Sequence, residues 1–148
     1  MSVLFEQITL KSLVMQNRFV RSATWEGLAA DDGSATPRLV DVAVQLAKGG
    51  VGLIISGHAY VSREGQAGSW QLGAYSDSLI PGLADMVKAV HDNGGKIAMQ
   101  LAHAGSNAAA RLSGLEAMGP SVFESKTGPV GREMTLKDMG EVVQEKVQ

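Results

Sequence analysis

The chain is 148 residues long, with 13 Lys and Arg against 15 Asp and Glu for a formal net charge of −2, and 45% of its residues are hydrophobic. That composition is that of a globular domain, and its lack of any basic cluster excludes nucleic acid and anionic membrane surfaces as partners. The absence of cysteine excludes disulfides, thiolate metal sites and cysteine nucleophiles, and with only His58, His91 and His103 a structural zinc site is not expected, so redox chemistry must come from a bound organic cofactor.

No apolar run reaches the roughly 18 residues of a membrane span. The N-terminal MSVLFEQITLK interrupts its apolar residues with Glu6 and Gln7, unlike a secretory leader, so the chain reads as cytoplasmic. Asn17 to Ala23 is the first strand candidate, followed by a loop from Glu26 to Ser34 that carries the turn signal Asp31-Asp32-Gly33. Thr36 and Pro37 then stand as N-cap and first helical residue. Leu39, Val40, Ala43, Leu46 and Ala47 recur at helical spacing until Gly49-Gly50 stops them. Val51 to Gly57 is a continuous apolar run, the pattern of a strand buried on both faces of a parallel sheet.

A second loop from Ser62 to Tyr75 leads to Asp77 or Ser78, placed before a helix whose apolar stripe is Leu79, Leu83, Met86, Val87 and Val90 and which Asn93-Gly94-Gly95 ends. Lys96 to Leu101 is the third strand. A polar, glycine-dotted stretch from Ala102 to Glu133 precedes a last helix with Thr135 as N-cap and Asp138 at its third position. Strands separated by helices imply a parallel, right-handed α/β arrangement. The last helix runs through Leu136, Met139, Val143 and Val147 to Gln148 without a stop signal, which reads as a truncation. Three apolar strands alone would also leave exposed sheet edges. A (β/α)₈ barrel needs roughly 250 residues, so the expectation is that residues 1–148 are the N-terminal portion of one such domain, about three βα units with a long loop after the third strand.

Sites in α/β proteins gather in the loops after the C-terminal ends of parallel strands. The first of these loops holds Ser22-Ala23-Thr24-Trp25. Thr24 and its neighbouring amides suit a polar ring edge and Trp25 a flat apolar surface, or else Trp25 is a buried turn aromatic. Gly57, at the tip of the second strand, either permits close approach of a planar ligand or makes a tight turn; His58 beside it is not by itself a sign of acid–base catalysis. An amide at the tip of a buried strand is costly unless it is paired, so Gln100, at the tip of the third strand, either caps local backbone or reads a carbonyl and an N–H of a ligand. His103 is a general acid or a structural histidine, and His91 suits a helix C-terminus. Neither a phosphate loop nor a G-x-G-x-x-G fingerprint occurs.

Leu4-Phe5, Leu10-Lys11, Asn17-Arg18-Phe19-Val20, Gly49 to Ile55, Gln100 to Gly105 and Gly119-Pro120-Ser121 together resemble, in order and spacing, the N-terminal part of the Old Yellow Enzyme family of NADH:flavin oxidoreductases. The resemblance implies a (β/α)₈ barrel that holds FMN at the C-terminal face of its strands, takes hydride from NADH or NADPH and passes it to an activated alkene such as an enone. By motif, Ser22, Ala23 and Thr24 would line the flavin, Trp25 would stand near its O4 and N5, Gly57 and His58 would approach it through backbone, and Gln100 would contact its pyrimidine edge.

Two departures accompany the match. Trp25 stands where relatives often carry Thr, Cys or His, and Ser106 stands where the third-strand motif commonly has Arg. The resemblance also implies that the substrate-holding His pair, the tyrosine proton donor and the phosphate-binding loops come from later in the barrel. His103 is then the one candidate proton donor here. The chain alone would be inactive, and its partners would be a small alkene or enone substrate together with either further copies of itself or a complementing barrel half. A non-catalytic α/β subunit that completes its sheet by association is the competing expectation.

Overall fold

The computed structural model describes residues 2–125 and 128–146. An antiparallel hairpin opens the chain, β1 (Ile8–Leu10) against β2 (Leu13–Met15), with Ile8 opposite Met15 and Lys11 at a φ of 53° in the turn. The predicted first strand is present but shorter, β3 (Val20–Arg21). Asn17 fixes where it starts. Its side-chain amide donates to Gly50 O at 2.6 Å and its Oδ1 accepts from Phe19 N at 3.0 Å. A Cβ at position 52 would lie 2.6 Å from Asn17 O, so Gly52 is what lets the second unit pass this close.

α1 (Pro37–Lys48) begins and ends where its sequence signals lie, with Thr36 Oγ1 accepting from Leu39 N at 3.2 Å. β4 (Leu53–Ile55) occupies the centre of the predicted second strand, and β5 (Ala59–Tyr60), which periodicity did not reveal, follows at once. α2 (Ile80–Asp92) is preceded by one 3₁₀ turn over Asp77–Leu79. The capping oxygen is that of Ser76, accepting from Ser78 N, and neither Asp77 nor Ser78 supplies it. The predicted third strand is two short ones, β6 (Ile97–Ala98) and β7 (Leu101–Ala102).

β3, β4 and β6 form a parallel sheet in that order, with Arg21 beside Ile54 and Ile54 beside Ile97. β5 and β7 form a second parallel pair, Ala59 beside Leu101. Side chains alternate between faces along a strand, so Ile54 and Ile97 point with Arg21 to the helical side. There Ile54 joins Leu39, Ala43 and Ala47 of α1 and Met86 and Val90 of α2 in the buried core. Burial of each large member contributes about 1.5–3 kcal/mol. The opposite face is not buried: Val20 is 47% exposed, Ala98 is exposed, and Leu53 and Ile55 are half-buried. The expectation of strands buried on both faces therefore holds for the helical side alone.

The stretch from Ala102 to Glu133 is not a featureless loop. It contains α3 (Ala110–Ser113), β8 (Met118–Gly119), an antiparallel hairpin of β9 (Phe123–Ser125) and β10 (Gly128–Val130), and β11 (Arg132–Glu133), which pairs parallel to β8. Two-residue ladders of this kind are set by their partners rather than by local pattern. α4 (Leu136–Glu145) carries the predicted capping box, Thr135 and Asp138 each bonding the other's backbone N–H. Its apolar stripe is exposed, with Leu136 at 87% and Val143 at 63%, while Val147 and the predicted run to Gln148 lie outside the described residues.

The start of α4 is held by Arg132, whose guanidinium grips both carboxylate oxygens of Asp138 at 2.8 Å. The Arg132 and Thr135 donors hold the Asp138 carboxyl well below the usual carboxylate range. A lowered native pKa gives stability that is present above the unfolded value of about 3.9 and is lost as pH falls below it. We therefore expect Asp138→Asn to lower the urea midpoint at pH 7 and to flatten its dependence on pH below about 4, and Thr135→Ala to cost about 1 kcal/mol at neutral pH. Denaturation of the three proteins between acid and neutral pH checks both.

Candidate functional site

The parallel register sets the C-terminal ends of β3, β4 and β6 side by side, and the residues that follow them form one surface. After β3, the segment Ser22 to Trp25 is largely exposed. Arg21 organises it. Its Nη1 donates to Ser22 O at 2.6 Å and to Thr24 Oγ1, and its Nη2 pairs with Glu26 Oε1 at 3.1 Å. Thr24 Oγ1 in turn donates to Ser22 O at 3.2 Å, so that hydroxyl's proton is already given within the loop. The backbone amides of Ala23, Thr24 and Trp25 meet no acceptor among the described residues.

After β4, Ser56 and Gly57 turn toward that loop. A Cβ at position 57 would lie 2.7 Å from Thr24 O and 2.8 Å from Glu26 Oε2, so close approach, one of the two sequence alternatives for Gly57, is realised first of all against the neighbouring loop. Ser56 Oγ donates to Gly57 O at 2.9 Å and accepts from Gln100 N at 3.3 Å, which ties the tips of β4 and β6. His58 is half-buried, and its carbonyl accepts from Gln71 Nε2 at 3.1 Å. Gln71, 1% exposed, also accepts from Ala67 N at 2.7 Å. It pins the second loop to the strand tip.

Gln100 bonds its neighbours through backbone: its N–H goes to Ser56 and its carbonyl accepts from Ala59 N at 2.8 Å. Its side chain is exposed and caps no backbone group among the described residues. The premise of a buried amide at this strand tip is thus corrected, because the face it occupies is the uncovered one. Trp25 is 53% exposed, not a buried turn aromatic, and lines a narrow apolar cavity of about 30 Å³ together with Leu39, Val42 and Leu46. A space of that size holds about one water and no organic ligand.

His103 lies apart from this surface. Its Nδ1 accepts from Gly105 N at 3.0 Å, which places the proton of the neutral ring on Nε2, an enclosed atom without a partner among the described residues. Burial pushes its pKa below the ordinary imidazole value, opposed by Glu64 and reinforced by Lys146. His91 stands in the last turn of α2, as its position in the sequence suggested.

Sequence reading missed Arg21, Glu26, Ser56 and Gln71. An arginine at a strand end followed by a glutamate five residues on is a usable signal for the first pair, whereas Ser56 and Gln71 act across loops and leave no local trace. It also missed Tyr60 and Tyr75. Their rings stack at 5.0 Å, and both hydroxyls donate to Asp32 O, at 3.2 and 3.0 Å. That fastens the predicted Asp31-Asp32-Gly33 turn to β5, and burial, followed by the adjoining Tyr75, raises the Tyr60 hydroxyl pKa.

Residues 3–148 match the model of the NADH:flavin oxidoreductase / NADH oxidase family. The chain belongs to this family. Among its relatives, an NADH oxidase of Thermoanaerobacter brockii is 36% identical over 144 residues, covering 95% of this chain and 22% of its own length. An NADPH dehydrogenase of Bacillus subtilis (strain 168) is 36% identical over 146 residues, covering 96% and 42%. The chain therefore spans between about a fifth and two fifths of the length of these curated relatives. In three dimensions it is similar to the old yellow enzyme homologue from Zymomonas mobilis, with a TM-score of 0.88 and 27% identity over 97% of this chain and 43% of that one. It shares the fold of Old Yellow Enzyme from Pichia sp. AKU4542, with a TM-score of 0.90, 24% identity and coverage of 98% and 41%.

The sequence-derived resemblance and fold class are thus confirmed: this is the N-terminal portion of the family's (β/α)₈ barrel. β3, β4 and β6 are its first three barrel strands, and Ser22 to Trp25, Gly57, His58 and Gln100 sit at their C-terminal ends. Among the described residues no helix is long and apolar enough to cross a membrane, and no group of three or more metal-ligating side chains occurs.

For His103, the unfolded chain takes up a proton near pH 6.5 before the native one does, so stability falls as pH drops through that value. The expected result is a histidine resonance that titrates below 6.5, and a pH dependence of stability in the range 5–7 that diminishes in His103→Gln. NMR titration with parallel denaturation checks both.

Proposed function

We propose that this chain supplies the ring-contacting part of an FMN-dependent NAD(P)H oxidoreductase of the ene-reductase type, acting on activated C=C bonds such as those of enones. The observation that carries this reading is the set of unsatisfied polar groups at two strand tips, those of β3 and β6, which flank the tip of β4. The amides of Ala23, Thr24 and Trp25 offer donors, and the exposed Gln100 amide offers both a donor and an acceptor. Such a set fits the alternating N–H, C=O and ring-nitrogen edge of an isoalloxazine.

FMN, when bound, supplies hydride chemistry that no amino-acid side chain provides. The residues of this chain bind and orient it. Ala23, Thr24 and Trp25 would present backbone donors with Ser22 lining the ring beside them, Gly57 and His58 would bring the second strand tip close, and Gln100 would pair with the pyrimidine edge. Fixed donors at that edge favour negative charge on the ring. The Thr24 hydroxyl is engaged within the loop, accepting from Arg21 Nη1 and donating to Ser22 O, so what Thr24 offers a ligand is its backbone N–H. His103 has no part in this reading, since its Nδ1 is engaged by Gly105 N and its Nε2 is enclosed.

The uncovered sheet face, with Val20 at 47% exposure and Ala98 exposed beside it, supports completion by the rest of a barrel, from a complementing chain or further copies. A site with ring contacts but no phosphate cradle makes a sharp prediction, because phosphate groups are held by helix N-termini and loops elsewhere in such barrels. Titrated with riboflavin and with FMN, the chain should quench the fluorescence of both saturably, with dissociation constants within about threefold of each other. Absence of saturable binding would sink the ring-contact reading, and a strong preference for FMN would show a phosphate site within these 148 residues.

A further inference from the structure

We infer that Arg21 is a positioning residue, whose guanidinium fork holds the Ser22–Glu26 loop in the one form that leaves its backbone amides available to a ligand. The inference deepens the flavin reading above and rests on it for the identity of that ligand.

Arg21 lies beside Ile54 in the parallel ladder, so its side chain leaves β3 on the helical face, away from the surface that carries Ser22. From there it reaches three acceptors within five residues of sequence: the Ser22 carbonyl, the Thr24 hydroxyl and the Glu26 carboxylate. Each bond draws an oxygen of the loop to the helical side. A loop whose acceptors are gathered on one side turns its remaining donors outward. That matches the finding that Ala23, Thr24 and Trp25 N–H meet no acceptor among the described residues.

The pair is sheltered, with side-chain exposures of 26% for Arg21 and 18% for Glu26. Its other side is closed by Gly57, which would need to retreat if the Thr24 carbonyl or the Glu26 carboxylate moved toward it. A planar fork with fixed donor directions can serve a carbonyl and a hydroxyl through one nitrogen and a carboxylate through the other. A lysine ammonium keeps the charge but not those directions.

The test uses the full chain carrying Trp70→Phe, so that Trp25 alone reports on the loop, with Arg21→Met, Arg21→Lys and the charge-balanced pair Arg21→Met/Glu26→Gln built on it. The last variant avoids an uncompensated carboxylate that would blur folding with positioning. Three quantities are read: iodide quenching of Trp25, the riboflavin dissociation constant and the thermal midpoint.

We expect Arg21→Met and the double variant to increase Trp25 quenching and to weaken riboflavin by about tenfold. Arg21→Lys should recover the melting midpoint but not the affinity, a split that a merely structural role would not give. Unchanged quenching and affinity in the double variant would overturn the proposal, as would wild-type affinity in Arg21→Lys. If the parent chain binds no riboflavin, the flavin reading fails, and Trp25 quenching alone decides whether the fork holds the loop.

Discussion

Contact between the helical face of the sheet and the two long helices is the constraint on which the rest of the molecule depends. Ile54 and Ile97 can meet Leu39, Ala43, Met86 and Val90 only if β3, β4 and β6 run parallel in their observed register. Helices that cross back over the sheet after each strand enforce that direction. Once the register is set, the strand ends align, and the loops that follow share one surface whatever their sequences. The loops then supply chemistry on a frame they did little to build.

The two faces of this sheet meet opposite fates. On the helical side, apolar residues are buried and Arg21 finds three acceptors. On the other side, Val20, Ala98 and the Gln100 side chain are exposed. Membership of the NADH:flavin oxidoreductase family explains the difference, because in a complete barrel that second face turns inward and is covered by the remaining strands. The polar and apolar groups displayed there are an interior seen from within. Their exposure carries no contradiction with their apolar character.

Legibility in the sequence followed the range of the interactions. α1 and the start of α4 were readable almost to the residue because Thr36, Pro37, Gly49, Thr135 and Asp138 act within a single helical turn. β4 was readable because a run of apolar residues between glycines has few other uses. β5, β8 and β11 were not, and β6 and β7 were read as a single strand, since a two-residue ladder contains no period and is defined by its partner. In the site, the motif-bearing positions Ser22 to Trp25, Gly57 and Gln100 could be named, but not the groups that hold them. Arg21 reads as a polar residue interrupting a strand until the register shows which face it leaves from, and Gln71 reads as an ordinary loop glutamine until its burial is seen. Gln100 was misread in one respect: a buried strand tip was assumed from its apolar neighbours, and burial is a property of the assembled layer.

The paired tyrosine bonds to the Asp32 carbonyl bear on the ancestry and recombination of such domains. A barrel of repeated strand–helix units invites the view that the units are interchangeable parts. Here the turn that precedes α1 is fastened by Tyr60 and Tyr75, which belong to the following unit. Exchange of the first unit alone would sever both bonds and leave a buried phenol facing an unfamiliar turn. Crossover points that preserve the fold should therefore fall outside Asp32 to Tyr75, so that the first two units travel as a single heritable block.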